Sequence, residues 1–322
     1  MRYDPSDYLY ASARIRAMEG RLIGRDQLNQ LLEISAPDAL LHALAEKGFD
    51  PSKGEQKAAE EMLKEAYAAV AESIPDPRLI LFLQYPYDCH NQKVLEKCRI
   101  TGEDPTPLLM DLGSISVENL LTVVKNADSS LLPTHLAKAV TQCRAAFAAT
   151  ADPREIDFIL DRALWADMAA AAAPFPFAAE WVRTKAELIN LSMCRRLLLL
   201  GQGPLGRATL ERAILPVGHW DTTRLLSCYD GGLEAFEQAI SRTPYAPVFG
   251  SDLPAFAIER RMDDHLMSLA QRAKGVTFGA EVPVAYLLAV ENQVKNIRIL
   301  LAGKQAGIGA DVLRERIRCC YV

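Results

Sequence analysis

The sequence predicts an all-α protein, on three observations. Stretches rich in Ala, Leu, Glu, Lys and Arg recur along the chain, carrying apolar residues at helical spacing. Short runs of Gly, Pro, Asp and Ser separate them, and the period-2 alternation of a half-buried strand is rare. Taken in order, Asp7 to Ile23 reads as a helix, followed by the shorter Arg25 to Glu33 and Pro37 to Lys47. Gly54 to Ser73 is a long helix of alternating charge that closes at Pro75-Asp76-Pro77, and Tyr87 to Ile100 follows Pro86. Pro133 to Thr150 and Pro153 to Ala173 each open on a proline, whose missing N–H costs nothing in a first turn. Ala178 to Leu200, Leu253 to Lys274 and Pro283 to Ala302 complete the long helices, with Asp252 as the expected N-cap of the second. Leu79 to Leu83 is the one strand-like apolar run. In the last long helix, Leu287, Val290, Val294, Ile297 and Leu301 form one seam, Glu291 and Lys295 pair on its back, and Gly303 reads as its stop.

Composition narrows the function classes. The 322 residues are 50% hydrophobic and 24% charged, with 36 Lys+Arg against 41 Asp+Glu and a net charge of −5. No basic stripe suited to nucleic-acid phosphates is visible. Seven cysteines lie scattered with no CxxC pair, which argues against structural zinc and fits a reducing compartment. The start, MRYDPSDYLY, lacks a secretory h-region. The most apolar stretches, Ala163 to Ala179 and Leu188 to Leu200, are interrupted by charge or proline.

The chain carries an internal repeat in which an asparagine lies eleven residues before a glycine: Asn91 to Gly102, Asn190 to Gly201, and Asn292 to Gly303. Short amphipathic segments follow, Leu108 to Leu112, Arg207 to Ile214 and Asp311 to Ile317. A looser copy, Tyr10 to Gly24, precedes Arg25 to Glu33. The spacing of about a hundred residues suggests three similar helical modules around an approximate threefold axis, taken as residues 1–85, 86–180 and 181–322. Asparagine is mildly unfavourable inside a helix unless its amide finds partners, so the three are expected to bond a neighbouring module's backbone.

Motifs that would carry chemistry fail on context. Gly201-Gln202-Gly203-Pro204-Leu205-Gly206 matches G-x-G-x-x-G, but a helix precedes it and Pro204 interrupts it, so it reads as an inter-helix turn. There is no P-loop. Asp263-Asp264-His265 resembles an aspartate-rich metal box whose final acid is replaced by Met267, and it reads as a solvated helix face. Cys89-His90, side by side on a helix, read as packing. Trp165, Trp181 and Trp220 read as core or interface anchors, and Cys319 to Val322 as a packed tail whose vicinal thiols are oxidation-prone if exposed. No acid, base and nucleophile assemble in order, so no catalytic, cofactor or metal residue is assigned.

Three segments carry a family resemblance: YASARIRAMEGRLIGRDQLNQLLE (Tyr10 to Glu33), YPYDCHNQKVLEKC (Tyr85 to Cys98) and FGAEVPVAYLLAVENQVKNIRILLAGKQAG (Phe278 to Gly307). They resemble the C subunit of V-type/A-type ATP synthases, the counterpart of the eukaryotic d subunit. The resemblance runs from about Tyr8 to the tail and is weakest between Pro105 and Glu180. Gln92 and Val290 depart from it, where the family often has Leu and a basic residue. It implies an all-helical, pseudo-threefold funnel on the cytoplasmic face of the membrane rotor ring. That funnel would receive the D and F subunits of the central stalk and pass torque to the ring, binding neither nucleotide nor ion itself. On this reading the short helices after the repeat glycines form a rim, with Arg25, Gln27, Arg207, Arg212, Asp311 and Arg314 as partner-binding candidates. Two other readings are a free-standing helical scaffold and a metal-dependent enzyme built on Asp263 and Asp264.

Overall fold

The computed structural model describes residues 3–126, 130–201, 203–250 and 253–322. Helices are its only regular secondary structure among the described residues, and the protein is all-α. In chain order they are α1 (Leu9–Glu19), α2 (Arg25–Glu33), α3 (Pro37–Ala45), α4 (Glu55–Ala71), α5 (Leu81–Thr101), α6 (Val117–Asn126), α7 (Thr134–Thr150) and α8 (Arg154–Ala172). There follow α9 (Pro176–Leu199), α10 (Gly203–Ala213), α11 (Thr222–Asp230), α12 (Gly232–Ser241), α13 (Ala255–Gln271), α14 (Glu281–Gln305) and α15 (Ala310–Arg316). No helix among the described residues is long and apolar enough to cross a membrane. The chain forms two compact units, one of residues 1–77 with 246–322, the other of residues 78–245.

In the 78–245 unit, α8 packs against α5, α7 and α9, and α9 in turn carries α10, α11 and α12. The strand-like run Leu79 to Leu83 is helical here, and α5 starts six residues earlier than expected, with Pro86 inside it. Tertiary burial explains the difference: Leu79, Ile80, Phe82 and Leu83 are all buried. Phe82 meets Trp181 of α9 edge-on with ring centroids 5.8 Å apart. Burial of this kind outweighs the hydrogen bond that proline withholds. Gln92, the departure from the family's leucine, is buried and donates to Glu96 at 2.9 Å. Glu96 accepts from Arg144 of α7 at 2.6 Å, so the amide belongs to a satisfied polar cluster.

In the other unit, α14 is flanked by α1, α4 and α13, and α15 packs on α2, α13 and α14. The single seam expected of α14 is too narrow. Every residue from Val282 to Val290 is buried, because helices surround its first half and a helix apolar all round must be enclosed. The expected Glu291–Lys295 pair is replaced as well. Glu291 accepts from the Tyr67 hydroxyl at 2.6 Å, and Lys295 binds Asp263 at 2.9 Å. Asp252 lies outside the described residues, and α13 is preceded by Pro254.

Repeated clamps and the candidate partner-binding surface

Two long helices of the 78–245 unit present the same pair of polar side chains, three residues apart. On α5, the Asn91 amide donates to the Met110 carbonyl and accepts from the Met110 N–H, both at 2.8 Å. On α9, Asn190 grips Leu215 the same way, at 3.2 and 2.9 Å. A carboxylate one turn earlier holds the next stretch of loop. Asp88 accepts from the N–H groups of Ser114 and Ile115 at 3.1 and 3.3 Å, and Glu187 from those of His219 and Trp220 at 2.8 and 3.1 Å. Each loop makes this approach through a glycine. A Cβ at Gly113 would run into the Asp88 carboxylate, and one at Gly218 would lie 2.5 Å from Glu187 Oε2. Ile115 and Trp220 are buried, and each stands two residues before a short helix, α6 or α11.

The unit holding both ends of the chain contains a third clamp, one helical turn beyond the expected position. Asn296 of α14 donates to the Arg318 carbonyl at 3.1 Å and accepts its N–H at 2.8 Å, while Asn292 only donates to Cys319 O at 2.8 Å. The glycine moves with it. Gly303 lies inside α14, where a Cβ would collide with the Leu313 side chain, and Gly307 is the left-handed residue at φ 69°. Gly102 and Gly201 adopt the same left-handed conformation, at φ 79° and 62°. Asn296 to Gly307 thus repeats the eleven-residue frame of Asn91 to Gly102 and Asn190 to Gly201. The place of the carboxylate is taken by Gln293, whose Oε1 accepts at 2.7 Å from the N–H of Ile23, again a buried residue two positions before a short helix, α2. The Val322 carbonyl lies against Gly24. All three amides therefore bond backbone downstream of their own helix, within the same compact unit, rather than a neighbouring module.

Burial raises the pKa of both Asp88 and Glu187, against the lowering effect of the N–H groups they accept. Glu187 Oε1 is buried without a hydrogen-bond partner. A carboxyl raised on folding contributes stability that is complete below the ordinary glutamate value, about 4.3, and is lost as pH rises through the raised one. Glu187→Gln removes that loss, so its stability relative to the parent is expected to climb as pH rises above the ordinary glutamate value of about 4.3 and to level off once the raised Glu187 carboxyl has ionised. Urea unfolding at a series of pH values checks this, and a flat difference would contradict it.

The segments that resemble chemical motifs have structural partners. Asp263 and Asp264 are not a solvated face. Asp263 binds Lys295 Nζ and Arg318 Nε at 2.9 Å, and Asp264 accepts the Cys319 N–H at 2.6 Å, so the pair fastens the C-terminal tail. No group of three potential metal ligands forms among the described residues. Cys89 is buried with its thiol pushed up to about 12, the reverse of an activated nucleophile, and His90 is exposed beside Leu108 O at 3.1 Å. In Gly201 to Gly206, Gln202 lies outside the described residues, and Gly203 opens α10. Trp165, Trp181 and Trp220 are buried. The tail is packed at Tyr321, which donates to Glu19 at 3.0 Å. Cys319 is exposed, yet burial raises its thiol, and burial pushes the Cys320 thiol up to about 11, which blunts their reactivity.

The partner-binding candidates sit on three short helices. Arg25 and Gln27 are exposed on α2, where Gln27 Oε1 caps the Gly24 N–H at 3.2 Å. Asp311 and Arg314 stand on α15, which packs against α2; Arg314 pairs with Asp311 at 2.6 Å and with Glu33 at 2.5 Å. On α10, Arg207 pairs with Asp230 at 2.8 Å, while Arg212 pairs with Glu155 and lies over the Phe158 ring. The expected Leu108 to Leu112 helix shrinks to a 3-10 turn over Thr106–Leu108. Charge pattern alone misses the apolar part of these surfaces: Leu205 on α10 is 71% exposed and Val312 on α15 is 48% exposed, with Leu199 and Leu200 exposed at the end of α9.

Comparison with known proteins follows the same length of chain. The chain is 26% identical to the C subunit of the V-type sodium ATPase of Enterococcus hirae, over 98% of this chain and 99% of that protein. It is 23% identical to the C subunit of the A-type ATP synthase of Methanocaldococcus jannaschii, over 98% of this chain and 87% of that protein. The family described as the ATP synthase (C/AC39) subunit matches residues 11–316, a span that takes in the first two clamps whole and the asparagine of the third, but not Arg318, which that asparagine grips. With its helices, its repeated clamps and that match in hand, the chain belongs to the ATP synthase (C/AC39) subunit family.

Proposed function

We propose that this chain is a non-catalytic rotor subunit of a V/A-type rotary ATPase or ATP synthase, seated peripherally on the cytoplasmic face of the membrane. It would couple the central stalk pair D and F to the membrane ion-carrying ring. Family membership over residues 11–316 carries the reading. The relatives' names, one from a sodium ATPase and one from an ATP synthase, agree in the kind of machine and differ in its direction. The residues suit the task. Torque transfer needs a stiff body, and side chain to backbone clamps on long helices remove the freedom of the loops that follow them.

The three clamps further support three similar modules, each a long helix, a gripped loop and a short helix. One of them is completed by both ends of the chain, through Gln293 and Ile23. Each unit offers its own surface to ring or stalk: α10, with Leu205 as an apolar contact beside the charges of Arg207 and Arg212, and α15 with α2 beside it, where Val312 lies among the charges of Arg25, Asp311 and Arg314.

Size-exclusion chromatography of the chain with its own D–F pair and detergent-solubilised ring tests this. The proposal expects a ternary peak that loses one partner when Leu205→Asp and Val312→Asp are combined, with the helical content unchanged. A chain that elutes alone at low salt beside folded partners would favour a free-standing scaffold instead.

A further inference from the structure

We propose that the groove between α7 and α8, in the unit of residues 78–245, is a docking site for an amphipathic α-helix of a protein partner that carries carboxylates along its flanks. The inference is independent of the rotary reading, because it rests on the shape and charge of one groove.

The groove has a volume of about 470 Å³ and is lined mostly along the faces of α7 and α8, with Arg212 of α10 and Pro216 after it also contributing. Its α8 wall runs from Glu155 through Phe158 and Ile159 to Arg162 and on to Ala166, so it follows one face of that helix. At 1.5 Å per residue that is roughly 16 Å, the length of three helical turns. The α7 wall, from His135 to Gln142, runs alongside for about two turns. Between the walls the floor includes Ala139, Ala163 and Ala166. Small residues let a second backbone approach closely, and the half-buried Ile159, with Phe158 whose ring lies beneath Arg212, adds apolar surface for its anchors.

Charge selects the occupant. Neighbouring cations are committed: Arg212 to Glu155, Lys93 to Asp161 and Lys97 to Asp157. His135, at one end, is held by Asp167 at 2.7 Å. Lys138 on α7 and Arg162 on α8 are exposed and have no ion-pair partner among the described residues. In a chain of net charge −5, two uncommitted cations therefore flank an apolar trough, one on each wall. A partner helix with leucine-like anchors on one face and carboxylates on both flanks satisfies the floor and the two cations together. An inorganic anion would leave the apolar floor uncovered.

The test uses the full chain and two synthetic peptides of about 14 residues, followed by fluorescence anisotropy. One is an amphipathic helix with leucines on one face and glutamates on the flanks; the other has lysine at every glutamate. The glutamate peptide is expected to bind at least about tenfold more tightly, and to weaken as salt rises from about 50 to about 300 mM. Lys138→Glu combined with Arg162→Glu should abolish that preference without moving the thermal midpoint, since both side chains are exposed. Ala166→Gln, which fills the trough and leaves the cations in place, should weaken the glutamate peptide by about tenfold. Equal affinity for the two peptides would overturn the proposal, as would retention of the preference in the charge-reversed chain. So would phosphatidylglycerol vesicles that bind the parent and lose it on charge reversal, because the two cations would then read a lipid surface.

Discussion

Asn190→Leu is expected to destabilise the chain by about 3 kcal/mol, among the largest effects of any single substitution here. The side chain satisfies the N–H and the C=O of Leu215 together, and both bonds are buried. Leucine matches the volume but leaves two buried backbone groups unpaired, each worth about 1–3 kcal/mol. Asn296→Leu is expected to cost less, about 1 kcal/mol, because the Arg318 groups it releases are only partly buried and water can reach them. Urea unfolding of both variants, followed by far-ultraviolet circular dichroism, measures the difference. Equal and small losses would show that packing, not the amide, fixes the loop between α10 and α11.

The second large effect is in the C-terminal tail. Tyr321→Ala is expected to cost about 3–4 kcal/mol, as large-to-small changes at buried aromatic positions do. Tyr321 is 3% exposed, its hydroxyl donates to Glu19 on α1, and Gln271 donates to the Cys320 carbonyl beside it at 2.8 Å. Tyr321→Phe keeps the ring and removes only the hydroxyl bond, so it should cost about 1 kcal/mol. The ratio of the two losses separates packing from hydrogen bonding. Near-parent stability of the alanine variant would mean that the tail is not fastened as the Asp263, Asp264 and Asn292 contacts imply.

These two sites also mark how far the sequence is legible. The strongly periodic helices are readable from it; α2 runs over Arg25 to Glu33 as expected, and α7, α8 and α9 differ by a residue or two at their ends. The short helices α6, α11 and α12 escape a reading by periodicity, although α11 carries a legible start in Asp221, which caps Arg224 N–H at 2.7 Å, and Ser116 Oγ accepts from Asn119 N–H before α6. Asparagines at helical positions point to the clamps, but they place the third one turn early. In NQVKNIRILLAGKQAG, Asn292 and Asn296 are four residues apart, as are Gly303 and Gly307, so a shift of one turn keeps the same helix face and periodicity cannot choose. The choice is made by the Arg318 backbone, which a helical pattern does not reveal. Asp88, Glu187 and Gln293 stand out as D-x-x-N, E-x-x-N and Q-x-x-N only once their loops are seen. The Asp263–Asp264 pair reads as solvated for a related reason: its partners Lys295 and Arg318 are remote in sequence.

The central claim, that this chain joins the stalk to the ring, is tested most directly by omission from a reconstituted complex. The catalytic head with its D–F stalk and the membrane ring with its stator, placed in proteoliposomes, are supplied with ATP with and without this chain. The account predicts ATP-driven ion uptake only when the chain is present, with hydrolysis by the head continuing in its absence. Ion uptake at the full rate without the chain would contradict it.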